Sequence, residues 1–81
     1  MKSIFTKIVS GPIKPMKWED VKKLLLWLGA RLRQSGGSAR VFIINKRPLT
    51  IHKPHPDNEL KRYAVRQVRN YLIKHDIQPK D

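Results

Sequence analysis

The chain has no cysteine, so it can build neither disulfides nor thiolate metal sites. That absence fits a reducing compartment. Long apolar runs are also missing. The longest, Leu24 to Leu28, is five residues, far short of the roughly 18 that a membrane-spanning helix needs. Met1-Lys2 followed by Ile4-Phe5 is too short and too polar for a signal peptide, so the expected location is the cytoplasm, with no membrane partner. Acid is scarce: 6 Asp and Glu stand against 18 Lys and Arg, a formal charge of +12. A balance this basic marks a polyanion, nucleic acid or anionic membrane, as partner, or else an acidic protein. At 81 residues the chain is one domain, 1–81, without room for a second core.

Six periodic stretches stand out. Ile4, Phe5 and Ile8 suggest a short amphipathic helix, ended by Ser10-Gly11-Pro12 and followed by an extended linker around Pro15. Residues 1–16 therefore read as an appendage, 17–77 as the core and 78–81 as a frayed tail. From Trp18 to Leu28 the apolar positions 18, 21, 24, 25 and 28 follow helical spacing, with Glu19 and Asp20 in the first turn and Gly29 suited to the C′ position. Trp27 falls off that stripe, either at the rim of the core, the preferred reading, or exposed for a partner. Ala30 to Gln34, Arg40 to Ile44 and Pro48 to His52 read as three strands of an antiparallel meander, joined at Ser35-Gly36-Gly37-Ser38 and Asn45-Lys46-Arg47. Lys53 to Asn58 is a loop stiffened by Pro54 and Pro56, in which Asp57 or Asn58 is placed to cap a helix from Leu60 to Lys74. Ala64, Val65, Val68, Tyr71 and Leu72 face inward, and Ile77 folds back on the core. The fold class is α+β: a three-stranded antiparallel sheet covered on one face by two helices, preceded by a short extra helix.

Elimination narrows the chemistry. His52 and His55 form a pair of imidazoles without a carboxylate or thiolate cluster, which is a poor zinc site in cationic surroundings, so no metal is expected. Gly36-Gly37-Ser38 lacks the Lys-Ser or Lys-Thr and the following helix of a phosphate-binding P-loop. A serine hydrolase lacks its elbow, and paired carboxylates are missing from the centre of the chain. Metal-free phosphoryl transfer on RNA remains, with no cofactor. RNA carries its own nucleophile, the 2′-hydroxyl, and asks only for a base, an acid and cations. Imidazole, titrating near 6.5, can serve as base or acid. His52 and His55 are the candidate catalytic residues, with Lys53 and Arg40 beside them. Taken singly, each histidine also fits a structural role, His52 closing a strand and His55 in a stiff turn. Arg62, Arg66 and Arg69 form one basic stripe with no acid between Leu60 and His75, which favours phosphate contact over a solvated face.

The order of several short motifs adds a resemblance. Lys17-Trp18-Glu19-Asp20-Val21, Leu24-Leu25, Leu28-Gly29-Ala30, Gly37-Ser38, His52-Lys53-Pro54-His55-Pro56, Glu59-Leu60-Lys61 and Val65-Arg66-Gln67-Val68 together resemble the HicA toxin family, in its longer branch with an N-terminal appendage. The resemblance implies a double-stranded-RNA-binding-like fold, α-β-β-β-α. It also implies an endoribonuclease, an mRNA interferase that arrests translation and is neutralised by a HicB-type antitoxin. Typical members carry the active histidine directly after Gly-Ser, where this chain has Ala39. Three readings of that departure stay open. Ala39 is a detoxifying substitution; or this branch does without histidine there, Ser38-Ala39-Arg40-Val41 approximating a Gly-Ser-Arg-Val motif with an offset; or, least favoured, His52 and His55 carry the reaction. The alternative from another class is a non-catalytic RNA-binding or adaptor module of double-stranded-RNA-binding type.

Overall fold

The structure is a computed structural model and describes residues 1–80; Asp81, the end of the expected tail, lies outside the described residues. Eight elements follow in order: α1 Lys2–Ser10, β1 Met16–Lys17, α2 Trp18–Trp27, β2 Arg31–Gln34, β3 Ala39–Ile44, β4 Arg47–His52, β5 Glu59–Leu60 and α3 Arg62–Lys74. Strands β2, β3 and β4 form the antiparallel meander. With α2 before it and α3 after it, the layout is the α-β-β-β-α order of double-stranded-RNA-binding-like domains, with α1 added in front.

Register decides which residues meet. Leu32 pairs with Phe42 and Phe42 with Leu49, while Arg33 pairs with Val41 and Val41 with Thr50. Side chains alternate along a strand, so the first set looks to one face and the second to the other. The inner face carries Phe42, Ile44, Leu49 and Ile51, all buried, against Val21, Leu24, Leu25 and Leu28 of the first main helix and Val65, Val68 and Leu72 of the second. Trp18 lies against Phe42 at 5.9 Å between ring centroids, tilted by 60°. Among the described residues no polar or charged side chain is buried, as expected when such groups have no partner inside. Trp27 is 42% exposed and lies outside this core.

The two main helices end alike. After α2, Gly29 N–H donates to Leu26 O and Ala30 N–H to Leu25 O; after α3, Asp76 N–H donates to Ile73 O and Ile77 N–H to Leu72 O. This is the Schellman pattern, which needs a left-handed residue at C′. Gly29 takes φ 101° and Asp76 φ 49°. The turn back brings Ile77 into the core. The β3–β4 turn is tighter than expected: only Asn45 and Lys46 span it, both at positive φ, and Arg47 already pairs with Ile44.

Three further expectations change. Met16–Lys17 and Glu59–Leu60 are strands of their own, pairing Met16 with Leu60 and Lys17 with Glu59. Two residues carry no readable period, so only the pairing reveals them. Because Glu59 and Leu60 are used there, α3 starts at Arg62; its N-cap is Lys61, without a side-chain bond, and neither Asp57 nor Asn58 caps it. Asn58 instead accepts from Trp18 N–H through its carbonyl, 2.8 Å. Finally, α1 is more than an appendage: Ile8 is 1% exposed within the common core, with Ile4, Phe5 and Val9 packed against it.

Candidate nucleic-acid interface

The outer face of the sheet is the surface the helices leave open. It presents Arg31 beside Ile43, Arg33 beside Val41 and Thr50, and, at the end near the glycine turn, Ala39 beside His52. None of these is acidic. The turn that leads into this corner is held by its own backbone. Ser35 N–H donates to Ala39 O and Ala39 N–H to Gly36 O, both at 3.1 Å. Gly36 and Gly37 sit at φ 58° and 47°, a region that costs a residue with a Cβ about 1–2 kcal/mol.

Position 39 and His52 are direct cross-strand partners. Lys53 N–H donates to Ser38 O at 2.8 Å, which makes 38 and 53 the hydrogen-bonded pair. The pair 39/52 is then of the non-bonded kind, in which side chains stand closest. Ser38 Oγ and His52 Nδ1 share a hydrogen bond of 3.3 Å. This orients the exposed imidazole and leaves Nε2 as the ring nitrogen without a protein partner.

The other expected residues are distributed unevenly. Lys53 is exposed and joined to the corner through its backbone. His55 is exposed in the loop beyond it, without a hydrogen bond, and the His55–Pro56 peptide is cis. Arg40 lies on the inner side of the strand; its guanidinium donates to Gly37 O at 3.0 Å and Ala39 O at 3.1 Å, clamping the turn from behind. Arg62 and Arg66 are exposed on α3 without partners. Arg69 is half-buried, and its Nε–H donates to Val9 O at 3.1 Å, tying α3 to the end of α1. Of the three arginines, Arg62 and Arg66 are thus free on the helix surface, while Arg69 is bonded within the fold.

Sequence reasoning did not place Arg31 and Arg33 on this surface. The alternation of the second strand contained the signal for the two arginines, since a strand with one apolar face must turn Arg31 and Arg33 to the other. Away from this surface, a cleft of about 510 Å³ lies between the α1–β1 linker and β5, lined by Lys7, Lys14, Lys17, Asp20 and Glu59 among others. It contains none of the expected site residues. Among the described residues no three His, Cys, Asp or Glu side chains gather as a metal site, and no helix is long and apolar enough to cross a membrane.

Fold and surface together define a small cationic α+β domain of double-stranded-RNA-binding-like layout with an acid-free sheet face. The model of the HicA toxin of bacterial toxin–antitoxin systems matches residues 18–76, and the chain belongs to this family. The family is the toxin half of such pairs, and an antitoxin is its partner. Comparison with curated proteins and with solved structures finds no match.

Proposed function

We propose that this toxin is a metal-independent endoribonuclease that cuts mRNA in the cytoplasm, arrests translation, and is neutralised by a HicB-type antitoxin. The observation that carries the reading is the pairing of His52 with position 39. The imidazole stands across the strand from where family members keep their active histidine, at the same corner of the same open face. That neighbourhood supports His52, although from sequence it was the least favoured of three answers to Ala39. His52 Nε2 takes the proton of the 2′-hydroxyl, whose oxygen attacks the adjacent phosphorus. The bond to the 5′-oxygen breaks, and that oxygen leaves with a proton from solvent. Lys53, Arg33 and Arg31 supply positive charge to the phosphorane-like transition state, and His55 is a second imidazole within the adjoining loop.

The test is cleavage of a long RNA in the presence of a chelator by the wild type, His52→Ala, and His52→Ala combined with Ala39→His. The wild type yields 2′,3′-cyclic phosphate ends. His52→Ala loses about 10²–10⁴-fold in rate, and the transplanted histidine recovers part of it. An active His52→Ala variant overturns the role of His52. A wild type that neither cuts RNA nor arrests growth overturns the enzyme and leaves the non-catalytic RNA-binding module, which Ala39 favours.

A further inference from the structure

Tyr63 is the most exposed large hydrophobic side chain among the described residues, at 69%. It makes no hydrogen bond, ion pair or ring contact, so the fold gains little from it. Its position follows from two contacts that run α3 antiparallel to β4. Tyr71 Oη–H donates to Arg47 O and Gln67 Nε2–H to Thr50 O, each at 2.7 Å. Going back along the helix therefore means going forward along the strand. Tyr63 lies one helical turn before Gln67 on the same side, about 6 Å further along. His52 lies two residues beyond Thr50, about 7 Å further in the same direction. The exposed ring is thus level with the His52–Lys53 corner, on the rim beside the open face. Arg62 and Arg66, exposed and unpaired, flank it on the helix.

An aromatic ring at the edge of a cationic track is how single-stranded nucleic acid is held without sequence readout: phosphates follow the charge and a base stacks on the ring. We infer that Tyr63 is a stacking platform for a nucleobase next to the scissile phosphate, with Arg62 and Arg66 on the flanking phosphates. The inference rests on the RNA reading above and names the nucleic-acid form it takes, an unpaired strand whose bases are free to splay out. A paired A-form helix offers no such base.

The experiment measures binding of a labelled single-stranded oligoribonucleotide to the wild type, Tyr63→Phe and Tyr63→Leu over a range of salt, with thermal melting as a folding control. Tyr63→Leu weakens binding about five- to a hundredfold, Tyr63→Phe binds as the wild type, and the slope of log K against log salt stays the same, since stacking releases no counterions. Against an abasic oligomer, wild type and Tyr63→Leu bind equally. Equal affinity of Tyr63→Leu and wild type for the normal oligomer overturns the inference alone. So does a loss that also appears with the abasic strand or with Tyr63→Phe. A wild type that binds no RNA overturns the RNA reading itself.

Discussion

The two faces of the sheet are made from alternate residues of the same three strands, yet they are built for different ends. On the inner side Leu32, Phe42 and Leu49 line up across the strands and join the core. One residue along, Arg33, Val41 and Thr50 line up on the side no helix covers. The first row holds the domain together by removing apolar surface from water. In the second row only Val41 is buried, and the exposed positions around it are free to carry charge and, at the end of this face, an imidazole. The lesson is that the apolar core and the cationic surface are separated here by a single step of backbone pleat. A small domain can therefore be strongly cationic without straining its core.

The contrast can be broken most directly at Phe42, which is fully buried. Phe42→Ala costs about 3–5 kcal/mol in a denaturant titration, a large share of what a domain this small has, whereas exposed Arg33→Gln changes stability by no more than about 0.5 kcal/mol. Similar shifts for the two would erase the distinction. Next in size is the arginine divide on α3. Arg69→Met removes the tie to Val9 O and lowers stability by about 1–2 kcal/mol without changing the salt slope of RNA binding; Arg62→Gln does the reverse. If Arg69→Met leaves the melting temperature unmoved, its bond to α1 is idle.

Charge on the outer face is sharpened by the pair Arg31→Gln and Arg33→Gln. The double variant keeps its fold, while the slope of log K against log salt falls by about 1.4–1.8 if each arginine meets one phosphate. An unchanged slope places the RNA elsewhere. The smallest effect concerns the histidine that ends α3. His75 stands edge-on to Tyr71 at 5.0 Å, and burial, then Arg47 and Lys74, hold its pKa below the ordinary value. Between the folded pKa and about 6.5 the unfolded chain binds the proton first, so stability rises with pH across that interval and is lost as pH falls through it. His75→Gln flattens this part of the stability profile, which a pH series of melting curves reads; a profile with the same slope removes His75 as the cause.

Much of this was legible in sequence because it is written within a few residues. The stripe 18, 21, 24, 25, 28 gave the first main helix, and Gly29 its end. The scarcity of acid against 18 Lys and Arg pointed to a polyanion, and the order of motifs pointed to the family. The site was only half legible. His52 and the glycine turn could be picked out as chemistry, but Arg40 and Arg69 looked the same as Arg33 in sequence while being spent on carbonyls in the fold.

Residue order alone determined the three helices and the three-stranded meander, the apolar faces and the excess of positive charge, since helical and strand periods and side-chain ionisation are local properties. Tertiary structure alone decided that position 39 faces His52, that β1 finds β5, and that Tyr63 stands level with the open corner. Those facts depend on register and helix direction, which are set by contacts between segments far apart in the chain, where no local period records them.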